Sequence, residues 1–381
     1  MLSGAFDSAR LLCHQTKETG NMKIIVACGG TGGHAFPGLA VADELAKRGH
    51  DVTIWDSGRD VESSVMRSWQ GKIFSTGAKQ LRAKNVFGII GSILKCRKAM
   101  KKAKPDVLLA MGSYSSLPPV LAARAYNVPI VLHEANTVPG KAVDLLSRYA
   151  RVVATSFDMT SKYLKAKTVR TGLPVRAGID AGKRFDFIPA NSFVVFVTGG
   201  SQGAHAVNML MSEALVMVKL ELEKRDDAKR PLYVIHQTGA KDEGLVMAAY
   251  ARAGIAARVH SFEREMSNAF ASADVVVARA GASTCFELAA CGKCALLIPL
   301  PSAMRNHQHF NAEAFVASGA ADEGIQANLT PAQLCRYIIS KYDHPEQITK
   351  MSEKIKHLAT PDAASAVASL VESASAADWK I

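Results

Sequence analysis

No run of about 18 apolar residues free of charge occurs in the chain, which argues against a membrane-spanning helix and for a soluble globular protein. Cysteine is sparse: seven in 381 residues, an odd and scattered set. That argues against a secreted disulfide framework and favours a reducing cytoplasm. Cys291 and Cys294 stand at CxxC spacing, but no second pair lies at zinc-finger distance. Buried thiols are therefore expected there rather than a structural metal. The first 21 residues lack the roughly 7–15-residue apolar stretch of a signal peptide. They read as a disordered extension, with Met22 a candidate start because it opens the first strand. No glycine loop continues as GK[ST], which disfavours an ATP-hydrolysing P-loop. Acidic residues are missing altogether between Lys72 and Lys104, a stretch that holds ten Lys or Arg.

What is present is a large apolar fraction, 48%, in a chain long enough for two domains. The net charge of +12 favours anionic partners, either phosphates or an acidic membrane surface. Short apolar runs alternate with helical periods. Strands are expected at Lys23–Cys28, Asp51–Trp55, Ile73–Thr76, Val107–Met111, Ile130–His133 and Val152–Thr155, with a helix over Phe36–Arg48. Continuous apolar strands separated by helices indicate βαβ units and a parallel sheet covered on both faces. The periodicity lapses over Gly182–Phe193 and then restarts with a second strand, glycine loop and helix. Further strands are expected at Leu232–Gln237, Arg258–Ser261, Val275–Ala278 and Ala295–Leu300. The α/β reading is two Rossmann-like domains facing across a cleft. Residues 22–184 form the first domain, 185–358 the second, and 359–381 a terminal helix crossing back onto the first.

Ligands of open parallel sheets lie outside the carboxyl ends of the strands, so the loops there carry the chemistry. The first, Gly29-Gly-Thr-Gly-Gly-His34, joins glycine backbone freedom to a helix N-terminus, an anion site. Asp56, at the end of the second strand, keeps a dinucleotide reading of this loop open. The second, Gly112-Ser-Tyr-Ser-Ser116, offers backbone and hydroxyl donors, or simply caps a helix. The third, Gly199-Gly-Ser-Gln-Gly203, repeats the anion-site pattern in the second domain. Glu287 follows a small-residue turn. It either interacts with its helix N-terminus or accepts two bonds from a ribose diol. The polar cluster around His307, Gln308, His309 and Asn311 suits a sugar better than a metal. His133 and Glu134, at a strand end, are an acid/base pair or a buried structural one.

Seven motifs occur in order: GGTGGH, GSYSSLPP, HEAN, GLPVR, GGSQGA, RAGASTCFE and HQHFNA. Together they resemble the MurG family of GlcNAc transferases of peptidoglycan synthesis, from about Met22 to the C-terminus. The resemblance implies a GT-B glycosyltransferase fold. It also implies GlcNAc transfer from UDP-GlcNAc to undecaprenyl-pyrophosphoryl-MurNAc-pentapeptide, lipid I. It assigns Glu287 to the ribose, and Thr284, Ser201 and Arg176 to the diphosphate. Ala282, Gln308 and Asn311 fall to the donor sugar and Phe262 to the uracil segment. Thr31, Gly32, Gly33, Asn136 and Gln202 are placed with the donor as well. Gly29, Gly30, His34, Gly112, Ser113, Tyr114 and Ser115 are assigned to the lipid pyrophosphate. The chain departs from the family at His307, where Gln is common, and at Ala135, where a polar residue is usual.

The family lies peripherally on the cytoplasmic face of the bacterial inner membrane. Leu81, Val86, Phe87, Ile89, Ile90, Ile93 and Leu94, set among the basic residues, suit an anionic lipid interface; for some of them a buried core is the competing reading. The expected reaction is inverting. A base takes the proton of the MurNAc 4-hydroxyl, with His34 favoured and Glu134 the alternative. No cofactor or metal is obligatory, because a helix N-terminus and Arg176 meet the departing charge. No nucleic acid partner is implied. A related enzyme moving another sugar, an epimerase, or a non-catalytic sugar-nucleotide binder are the competing classes.

Overall fold

The computed structural model describes residues 20–30, 32–58, 66–79 and 85–376. Thr31, Leu81, Lys84 and residues 1–19 of the expected extension lie outside them. The chain forms two compact units, Met1–Arg176 with Thr360–Ile381, and Ala177–Ala359. The division precedes residue 185, and local bonds explain why. Gly182 packs against the Ser267 carbonyl, Lys183 N donates to Asn268, and Phe185 N donates to Ser272. The segment after Arg176 is thereby tied to the second unit.

The first unit is a seven-stranded parallel sheet of β1 (Lys23–Ala27), β2 (Asp51–Asp56), β3 (Lys72–Ser75), β4 (Val107–Ala110), β5 (Ile130–Glu134), β6 (Val152–Thr155) and β7 (Thr168–Arg170). Their spatial order is β3-β2-β1-β4-β5-β6-β7. The interior strands are rich in apolar residues because helices cover both faces; β4, β5 and β6 are buried at every position. Ile24, Val26, Leu109 and Val131 face one core layer, and Ile25, Leu108 and Leu132 the other, as the period of two requires. The helix Ala363–Ser375 packs on the helix Gly32–Lys47 and completes the first layer with Val367, Leu370 and Val371.

The second unit is a six-stranded parallel sheet of β8 (Phe193–Thr198), β9 (Leu232–Gln237), β10 (Ala256–His260), β11 (Val275–Ala278), β12 (Cys294–Leu297) and β13 (Asp322–Glu323). Its order, β10-β9-β8-β11-β12-β13, repeats the doubly wound pattern. In both sheets the order reverses beside the first strand, β1 or β8. Open α/β sheets bind ligands at that point, and both long glycine loops leave from it. Among the described residues no helix is long and apolar enough to cross a membrane.

Candidate functional site

In the first unit the helix begins at Gly32, not at Phe36 as its apolar period suggested. Gly32, Gly33 and His34 are therefore its first turn, at the positive end of the dipole. Sequence pattern missed the extra turn because two glycines carry no apolar signal. The loop below is fixed from the side. The Ser113 and Ser115 hydroxyls both donate to the Gly29 carbonyl at 2.6 Å. Their role in the structure is thus to join the loops after β1 and β4. Gly112 has φ +86 and sits where a Cβ would lie 2.6 Å from the His133 carbonyl, so the chain needs glycine there. Tyr114 packs near Gly30.

His133 and Glu134 end β5. His133 is 1% exposed, with Nε2 3.4 Å from the Gly172 carbonyl and Nδ1 buried without a partner among the described residues. Burial, opposed by the Gly172 bond and reinforced by nearby His34, lowers its pKa to about 4. The ring is neutral at ordinary pH. Glu134 is also buried. Its Oε1 accepts from Asn136 N at 2.9 Å and Asn136 Nδ2 at 3.1 Å; its Oε2 accepts from Gly140 N at 2.9 Å. Burial raises its pKa against these bonds, which favour the charged form. The carboxylate spans its own loop. Asn136 is held by it, and also accepts from Thr160 through its carbonyl. Arg176 lies with its guanidinium 4.3 Å over the Phe36 ring, on the helix that carries His34.

In the second unit Gly199–Gly203 is built on Gln237. The Gln237 amide donates to the Gly200 carbonyl at 2.8 Å and to Thr198 Oγ1 at 3.2 Å. Its Oε1 accepts from Glu263 N at 3.0 Å. Gly203 has φ +73, and any side chain there would collide with the Thr238 carbonyl. The loop leaves Ser201 and Gln202 exposed. Phe262 is 44% exposed nearby in sequence to Glu263. Ala282, Thr284 and Glu287 share the first two turns of the helix Ala282–Cys291, with Ala282 and Glu287 buried. Gln308 Oε1 accepts from Leu300 N at 2.9 Å, and buried Asn311 donates to the Ala280 carbonyl at 3.2 Å. Both amides therefore hold the turns that follow β11 and β12. His307 Nδ1 contacts the Met304 carbonyl at 2.8 Å, which orients the ring.

Sequence reasoning passed over Gln237, Asn208 and Arg279. Asn208 could have been noticed as a polar residue inside an apolar run, and Gln237 as a polar residue closing a strand. Arg279 is 7% exposed and has no carboxylate partner among the described residues. It donates to the Ile298 and Pro299 carbonyls and to Gln326, tying the ends of β11 and β12 together. Burial lowers its pKa. The two CxxC thiols diverge, Cys291 to the Ile179 carbonyl and Cys294 to Met351. No cluster of three potential metal ligands occurs among the described residues.

Comparison with known proteins follows the same division. Residues 24–155 match the glycosyltransferase family 28 N-terminal domain, and residues 194–367 the family 28 C-terminal domain. A UDP-N-acetylglucosamine–N-acetylmuramyl-(pentapeptide) pyrophosphoryl-undecaprenol N-acetylglucosamine transferase of Citrifermentans bemidjiense is 36% identical over 364 residues, covering 92% of this chain and 99% of the relative. The protein of that name from Myxococcus xanthus is 34% identical over 357 residues, 91% of each chain. The crystal structure of Acinetobacter baumannii MurG superposes with a TM-score of 0.72 at 29% identity, covering 92% of this chain and 99% of that one. A UDP-GlcNAc 2-epimerase from Neisseria meningitidis, with a TM-score of 0.64 at 15% identity over 91% of this chain and 98% of its own, shares the fold alone.

Proposed function

The chain belongs to glycosyltransferase family 28, among the MurG transferases, and from that membership we propose how its two units divide the work. Its fold is GT-B, and its reaction moves GlcNAc from UDP-GlcNAc to undecaprenyl-pyrophosphoryl-MurNAc-pentapeptide, giving lipid II for peptidoglycan. The first unit holds the lipid pyrophosphate on the loop after β1 and the helix N-terminus at Gly32. The second holds the sugar nucleotide on Gly199–Gly203, with Glu287 toward the ribose. His34 is the base that removes the proton from the MurNAc 4-hydroxyl, and the anomeric centre inverts. The positive end of the helix after Gly203 meets the charge on departing UDP, and no metal is assigned a role. The enzyme works from the cytoplasmic face of the inner membrane, held there peripherally.

One observation carries the choice of His34. Both Glu134 oxygens are engaged by Asn136 and Gly140, whereas His34 stands half-exposed in the first turn of its helix. A base must reach the proton it takes, and a carboxylate spanning its own loop is badly placed for that. His34→Ala is expected to lower turnover about 10²–10⁴-fold at saturating lipid I while leaving UDP-GlcNAc binding intact. Glu134→Gln is expected to raise the KM for lipid I more than it lowers kcat. Near-normal kcat in His34→Ala would falsify the assignment.

A further inference from the structure

A polar chain runs beneath the loop that the preceding reading gives to the sugar nucleotide. Asn208 is fully buried. Its amide donates to the Thr238 carbonyl at 2.8 Å and to Asp242 Oδ2 at 2.7 Å. Its Oδ1 meets His236 Nε2 at 3.1 Å, and His236 Nδ1 meets the Tyr250 hydroxyl at 2.8 Å. These contacts fix the Asp242 carboxylate. Its other oxygen lies 2.9 Å from His205 Nδ1. Burial acts to raise the Asp242 pKa, but the bonds from His205 and Asn208 outweigh it and hold the group below the usual carboxylate range.

The upper end of this chain is unlike the rest. Asp242 is 7% exposed, yet the His205 side chain it holds is 71% exposed. His205 is the first residue of the helix His205–Glu223, and Ser201 and Gln202, just before it, are exposed too. The ring is bonded to Asp242, in the segment that follows β9, and its backbone lies two residues after Gly203, at the end of the glycine loop. The two glycine turns interlock at its base, Gly203 against the Thr238 carbonyl and Gly239 against that of Gln202. With Nδ1–H committed to a carboxylate, the neutral ring offers only a lone pair at Nε2. Protonated on both nitrogens, the ring offers Nε2–H as a donor while Nδ1–H stays on Asp242.

We propose that His205, oriented by Asp242, is a further contact for the diphosphate of the sugar nucleotide. This rests on Gly199–Gly203 being the diphosphate loop. The contact tightens as UDP departs, since negative charge grows on the diphosphate in that step. It adds no bond-making of its own.

The test uses the full chain and calorimetric affinities for UDP and for uridine, which lacks the diphosphate. His205→Gln is expected to weaken UDP about three- to tenfold, the scale of one charged hydrogen bond screened by solvent. Uridine affinity should not move, and the chain should stay folded at the assay temperature with at most a small fall in thermal stability from the bond lost to Asp242. His205→Arg, which keeps the cation, is expected to retain UDP affinity within about twofold of the parent. UDP binding that is indifferent to His205→Gln, or equal losses for UDP and uridine, would overturn the proposal. A parent chain that fails to bind UDP at all would overturn the reading of the loop beneath it.

Discussion

His133 is a buried histidine kept neutral for want of a charge partner, and that has a consequence for stability. Its pKa is about 4 in the folded chain against roughly 6.5 for a free imidazole. The unfolded chain therefore takes up a proton that the folded one refuses. Stability is complete above about pH 6.5 and falls as pH drops toward 4, by about 3 kcal/mol for this residue alone. His236, lowered to about 3 by burial, adds a loss of the same sign in the second unit. Chemical denaturation at pH 7 and pH 4.5 should show the fall, and His133→Gln should flatten the first unit's share of it. An unchanged pH slope in that variant would count against the account. At this scale the sequence exposed the residues but not their duties. HEAN announced a polar pair at a strand end. It did not show that Glu134 spans the loop to Gly140, because those partners are backbone N–H groups with no side-chain signature. Asn311 and Gln308 were similarly visible as polar, while their bonds to Ala280 and Leu300 depend on the fold.

Among the elements, the helix Val86–Ala103 is the least ordinary. Only Ser92, Cys96 and Met100 are buried along it, whereas Phe87 is 90% exposed and Val86, Ile90 and Leu94 are exposed beside it. Ile89 and Ile93 are half-buried, so the apolar residues seen in sequence are shared between core and surface. Lys95, Arg97, Lys98, Lys101 and Lys102 flank the exposed set. An amphipathic face of this kind binds acidic lipid by apolar insertion plus charge attraction. Phe87→Ser with Leu94→Ser should abolish flotation with vesicles containing anionic lipid, and Lys95→Glu with Lys98→Glu should make it salt-insensitive and weak. Retained flotation in both would remove this helix from the membrane reading. The interior elements were legible because buried parallel strands are continuous apolar runs. β7 and β13 were not, being short edge strands such as Thr168–Arg170 and Asp322–Glu323 that carry almost no apolar residues.

Across the whole molecule, the doubly wound order of both sheets could be anticipated from alternating strands and helices, but how the chain's last helix serves the first unit rests on long-range contacts that no local pattern displays. Val367, Ala368, Leu370, Val371 and Ala374 are each at most 2% exposed in the layer that covers β1, β4 and β5. Polar bonds fasten the same helix: Arg48 meets Glu372 at 2.8 Å, His50 meets Glu372 at 2.9 Å, and Arg151 donates to the Ala374 carbonyl at 2.7 Å. The first unit therefore depends on residues that follow the whole second unit in sequence, and its core closes only when they arrive. Leu370→Ala leaves a cavity in that layer and should cost about 2–5 kcal/mol, a large part of a domain's roughly 5–15 kcal/mol. The cost should fall on one unit. Calorimetry that resolves two transitions should show the first unit's moving down by several degrees and the second unit's staying in place. UDP affinity, which the second unit is proposed to supply, should persist at temperatures where the first unit has already melted. A uniform shift of both transitions would mean that the helix supports the chain as a single cooperative body instead.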